Sequence, residues 1–139
     1  MKKRMKGKKR IHHIYGEDFF QLVFGALAFG VPAAFTQETW ELGETLGSWN
    51  YLLLIVLSVT IIALAVFHTG YHTHSLKTLE QLYLQRICLS YLIIFMTCAV
   101  FLTLISRAPW FTDPFIALQR VIIIGVPATI SGITADLIK

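Results

Sequence analysis

The sequence is short of charge. Asp, Glu, Lys and Arg make up 14% of its 139 residues, against about 25% in a soluble domain, while 55% of the chain is hydrophobic. That balance excludes an ordinary soluble globule. Cysteine is scarce as well: there are two, Cys88 and Cys98. Ten residues apart in one apolar run, they would stand ~15 Å from each other on a helix. That is too far to bridge, so they read as small buried hydrophobes. The signatures G-x-x-x-x-G-K, G-x-S-x-G, H-E-x-x-H and paired C-x-x-C are absent,. Ser58, Ser90 and Ser106 have no base placed to activate them. The chain is not expected to be an enzyme.

The charge that is present is segregated. Seven of the twelve Lys and Arg residues lie in the opening decamer MKKRMKGKKR. Four apolar runs come after it, at about residues 19–40, 49–67, 87–105 and 115–138, each about the ~20 residues a membrane helix needs. None shows the ten-residue alternation of a barrel strand, and lipid-exposed backbone must bond internally, so the runs predict helices. The fold class is all-α integral membrane. Residues 1–17 form a basic cytoplasmic tail, and 18–139 a four-helix transmembrane domain.

Lys and Arg in short flanks set orientation. The segment from His68 to Arg86 carries Lys77 and Arg86, whereas 41–48 has Glu41 and Glu44 and no base, and the connection between the third and fourth runs has only Arg107. Both termini are therefore expected in the cytoplasm, in a multi-pass protein of the cell membrane. The basic start resembles a signal-peptide n-region, but the apolar stretch behind it is longer than an h-region and lacks a small-x-small cleavage site, so it reads as retained. Beside four spans, the basic residues from Lys2 to Arg10 suit anionic lipid rather than nucleic acid.

The chain also repeats itself. Offset by 95 residues, GVPAAFTQETWELG (30–43) lies over GVPATISGITADLI (125–138). Thr36 falls on Ser131 and Glu41 on Asp136; upstream, Asp18 falls on Asp113, each placed to cap a helix start. The repeating unit is three spans long, an odd number, so the copies run in opposite directions, as in inverted-topology repeats whose sites form where Gly/Pro-interrupted segments meet. A homo-oligomer would complete such an arrangement. Ala26, Gly30 and Ala34, continued by Glu38, and Ala128 and Gly132, continued by Asp136, recur every four residues. Such stripes bring helices close and would point both acids into protein. Pro32 and Pro127 would break their helices, freeing the carbonyls of Ala28 and Ile123.

At TQETWELG the chain resembles a prokaryotic family of uncharacterised integral membrane proteins, a domain of unknown function, in which a proline-containing helix runs into Thr-Met-Glu-x-Trp-Trp-Leu-Gly. Pro32, Thr36, Glu38, Trp40, Leu42 and Gly43 match; Gln37 and Glu41 replace the Met and the second Trp. The resemblance extends to the GVPA-containing last helix and loosely to most of the chain from Gly16. It implies a helical membrane protein and no particular chemistry.

Glu38, ~30 Å along a helix from Asp18, falls near the outer hydrocarbon boundary, where an ionisable group is a functional candidate. With Glu41 and Glu44 it could form stacked acidic rings in an oligomer, as cation channels do, or simply solubilise a loop. Arg120 could snorkel, pair with Asp113 or pair with Glu38. His68 and His72, at i and i+4, with His74 nearby, could hold a metal if a further ligand joined them or sense pH. These features give a homo-oligomer that conducts or transports a cation. Its path would involve Glu38, Glu41, Asp136, Thr36 and Ser131, with no cofactor beyond the ion. The alternative is a non-transporting scaffold or subunit docking through the small-residue stripes, and a third reading is a histidine sensor.

Overall fold

The structure, a computed structural model, describes residues 16–70 and 76–138. They form five helices: α1 Gly16–Ala34, α2 Gln37–Thr45, α3 Ser48–Gly70, α4 Leu76–Leu104 and α5 Pro114–Leu137. Three stretches are long and apolar enough to cross a membrane: Ser48–His68, Gln81–Leu104 and Pro114–Leu137. The pair α1 and α2, bent by 86°, makes a fourth if counted as one span.

That bend corrects the first expected span. The helix does not run from 19 to 40 but ends at Ala34, because its 19 residues already cover ~28 Å, close to the ~30 Å hydrocarbon thickness. The next segment, QETWELGET, is polar enough to favour turning aside. Nor do the prolines break their helices: α1 runs on through Pro32 and α5 through Pro127. The break lies at Phe35 and Thr36, where Thr36 is extended (φ −86°, ψ 134°) and caps α2. The orphan carbonyl of Ala33 accepts the hydroxyls of Thr36 at 2.8 Å and Thr39 at 2.9 Å, so the elbow leaves this polar group satisfied.

The third span also differs, beginning near Gln81 rather than 87. Arg86 is therefore a helical residue within a span, not a loop charge. The fourth matches α5 to within a residue at each end.

α5 is the hub, packing on every other helix; 56% of its apolar window is buried, against 22% for those of α3 and α4. The small residues explain its closest partner. On α1, Gly25 faces Ser131, Gly132 and Ala135, while Gly30 faces Ala128 and Ile124. Numbers rise on one helix as they fall on the other, so α1 and α5 are antiparallel, and the two GVPA segments touch near the crossing. Ala26, Ala34 and Ala128 are fully buried in the same packed region, beside Leu22, Ile94, Val121 and Ile124. The stripes are thus occupied within one chain rather than open to another. Glu38 does not extend the α1 stripe: the elbow carries it onto α2, where it is exposed.

Candidate functional site

Polar side chains gather at the two ends of the bundle. At the α2 end, the guanidinium groups of Arg107 and Arg120 each lie 5.3 Å from the ring centroid of Trp40. These are cation–π contacts that also place a Trp and two cations at one level, as at a membrane boundary. Ser106 (φ 58°) closes α4 in the left-handed region and turns the chain so that the carbonyl of Arg107 accepts Arg120 Nη1 at 2.8 Å. Arg120 Nη2 donates to Glu44 Oε1 at 3.0 Å. The partner is Glu44, neither Glu38 nor Asp113; Asp113 occupies the N-cap of α5 without a side-chain cap bond. Gly43 makes room for this arginine, since a Cβ there would stand 2.8 Å from Arg120 Cγ. The Tyr51 hydroxyl donates to the carbonyls of Leu42 and Gly43, each at 3.1 Å, pinning α2 to α3.

TQETWELG is therefore largely a docking segment. Thr36 turns the chain, Trp40 stacks, Gly43 admits Arg120, and Leu42 lines a crevice under the elbow. Glu38 is the exception. It is exposed, with no hydrogen bond or ion pair among the described residues, and lines a shallow depression with Thr36, Gln37 and Glu41; Glu41 accepts from Gln37 Nε2 at 2.9 Å. Because Glu44 is more than half exposed, its ion pair should be worth less than ~1 kcal/mol. Glu44→Gln is expected to leave thermal stability in detergent within a degree or two of the parent. A loss as large as that of a buried pair would contradict this surface assignment.

The opposite end holds a polar layer of which the sequence marks Asp136, as the buried end of the α5 stripe. Leu22 O of α1 and Ile94 Cδ1 of α4 both lie 3.3 Å from where a Cβ on Gly132 of α5 would stand, so these three residues share a level. One helical turn toward the start of α1 come Asp18, Ser90 and Asp136. Arg86, a turn below Ser90 on the same α4 face, donates from Nη2 to Asp136 Oδ2 at 2.9 Å. Asp18 and Ser90 are each 1% exposed and Asp136 9%. In this layer Ser90 Oγ and Asp136 Oδ1 are buried with no hydrogen-bond partner among the described residues, as is Gln21 Oε1, three residues after Asp18 on α1. In the sequence alone Arg86 reads as a loop charge and Asp18 as a helix cap. Besides the stripe that ends at Asp136, the i, i+4 pair Arg86 and Ser90 is a local signal of the layer.

The remaining candidates are not brought together. The Ser131 hydroxyl donates to the Gly25 carbonyl of α1 and is a seam contact, just as Thr36 serves the elbow. His68 is exposed, while His72, His74 and the tail from Lys2 to Arg10 lie outside the described residues. Among the described residues no three His, Cys, Asp or Glu side chains group to hold a metal.

An apolar helical bundle whose Asp, Glu, Lys and Arg side chains, among the described residues, lie toward its ends is what a membrane-spanning chain requires, and comparison by family agrees. The family described as "Putative integral membrane protein (DUF2391)" matches residues 1–138. The chain belongs to the DUF2391 family. No curated protein and no solved structure matches it. Membership of DUF2391 places the chain in a lipid bilayer and supplies no activity, so what this member does has to be argued from its polar layers.

Proposed function

We propose that this DUF2391 protein binds a hard cation and passes it across the cell membrane as a homo-oligomer. One observation carries the reading: the buried oxygens Gln21 Oε1, Ser90 Oγ and Asp136 Oδ1 have no hydrogen-bond partner among the described residues. Buried acceptors without donors are costly. Carboxylate, amide and hydroxyl oxygens are the ligands hard cations prefer. Arg86 holds the other oxygen of Asp136, so an arriving ion competes with the guanidinium, and the exchange sets occupancy.

With both termini cytoplasmic, this layer is the inner site, and Glu38 and Glu41 are outer charges that concentrate cations. The antiparallel α1 and α5, carrying the repeated GVPA segments, fit an inverted-repeat plan whose moving elements meet near the membrane centre. The seam inside one chain is filled by buried side chains, so ions are assigned an approach along the surfaces between copies and reach the layer from the bundle end, where the Arg86 side chain is 23% exposed. The basic residues from Lys2 to Arg10 hold anionic lipid on the inner face, and the chain performs no catalysis.

Flux of Na⁺, K⁺ and H⁺ through vesicles containing the purified protein tests this. Asp136→Asn is expected to lower flux at least tenfold with assembly unchanged. Glu38→Gln with Glu41→Gln should lower it several-fold at low ionic strength and little at high, because salt screens exposed charge. Unchanged flux in Asp136→Asn removes the inner site. A parent that passes none of the three ions, yet co-purifies with a second membrane protein, supports a subunit role instead. The wide apolar faces of α3 and α4, with Leu53, Leu57 and Leu92 about half exposed, favour that second reading.

A further inference from the structure

We infer that a crevice beneath the α1–α2 elbow holds an acyl chain of a membrane lipid. The crevice arises because α1 and α3 both pack on α5 but not on each other among the described residues, leaving α5 as a floor between them. α2, folded across by the elbow, is its roof: Thr39, Leu42 and Leu46, at i, i+3 and i+7, line it from above. Ala33 of α1 and Leu54 of α3 form the flanks, and Ile123, Ile124, Val126 and Pro127 of α5 the floor, around a cavity of about 430 Å³.

Two features determine the occupant. The Thr39 hydroxyl is already engaged with Ala33 O, and the other side chains lining the crevice are hydrocarbon, so water would find too few partners. The floor also lies one to two turns below the level of Arg120, hence ~5–10 Å inward along α5. If Trp40, Arg107 and Arg120 mark the boundary, that depth is already within hydrocarbon. The bilayer then offers one abundant species of matching polarity and shape, an acyl chain. It would enter between α1 and α3 and support α2 from below.

The full-length protein, reconstituted in phosphatidylcholine vesicles doped with a lipid bearing a photoreactive acyl chain, provides the test after illumination and peptide mapping. Adducts are expected on Ile123 and Val126 in addition to the ordinary ones on outward residues such as Leu53 and Leu92. Filling the crevice with Ala33→Phe and Leu54→Phe should cut the α5 adducts at least fivefold and leave Leu92 labelling unchanged, which also reports that the bundle has formed. Ala33→Val, a milder filling, should give an intermediate loss. A parent labelled at Leu92 but not at Ile123 or Val126 overturns the inference, and cross-links from those positions to a second copy would then identify the occupant as this chain itself. Persistence of α5 labelling in the filled variants overturns it equally.

Discussion

Gly25→Leu is expected to yield no folded protein, and Gly25→Ala to lose roughly 2–3 kcal/mol, the upper range for overpacking a tight core. A Cβ at position 25 would stand 2.7 Å from Ala135 Cβ, 2.8 Å from Gly132 Cα and 2.9 Å from Ser131 O. Two of those three atoms are backbone, and the third is a methyl that cannot rotate away. The only relief is to separate α1 from α5, which stretches the hydrogen bond from Ser131 to the Gly25 carbonyl and reduces packing along the seam. In a membrane this matters more than usual, because contact between helices, not exclusion of water, holds them together.

Gly30→Ala provides the control. Its nearest neighbours would be at 3.5 and 3.7 Å, ordinary contact, and alanine favours a helix over glycine by about 1 kcal/mol. Thermal unfolding in detergent, followed by size-exclusion chromatography, should leave Gly30→Ala at or above the parent and Gly25→Ala well below it. Equal behaviour of the two variants would show that the seam is looser than its geometry.

Arg86→Leu is the second large effect expected. Asp136 would remain buried with no guanidinium on Oδ2, and stranding one member of a buried ion pair typically costs about 3–5 kcal/mol. The Arg86 side chain is 23% exposed and that of Asp136 8%, so roughly the lower end of that range applies. Asp136→Leu should cost less, since a long arginine at the end of a span can turn toward water. The double variant Arg86→Leu, Asp136→Leu should recover most of the loss, because apolar replacement of both partners restores a consistent interior. A double-mutant cycle measures the coupling; additive losses would mean that the 2.9 Å contact contributes nothing. The same variant separates fold from function, being expected to assemble yet pass no cation.

These two sites differ in how visible they are in the sequence. The small-residue spacing on both helices points to close packing, and the two helices pack on each other. Their antiparallel course follows from their offset of three spans, an odd number, with two spans between them. The grouping of the polar layer is not visible beyond Asp136 itself, because Asp18, Arg86 and Asp136 are far apart in sequence. Each has a plausible local explanation as a cap, a loop charge or the end of a stripe. Glu38 fails in the other direction: its spacing of four from Ala34 assumes one straight helix, and the 86° elbow moves the side chain to the surface. Arg120 has three candidate fates by sequence, and the acid that receives it, Glu44, lies 76 residues away.

The sequence by itself determined that this chain lives in a bilayer, where most of its apolar helices fall, and that its basic charge is concentrated at one end. Hydrophobic run length and charge segregation are properties of contiguous residues, so the chain order carries them completely. Only the tertiary structure decided which acid meets which arginine, which oxygens are buried in one layer, and where α2 turns to cover α5. Those depend on the angle at one elbow and the register between α1, α4 and α5. That register is set by contacts such as Gly25 on Gly132 and Ile94 on Gly132, between residues remote in the chain.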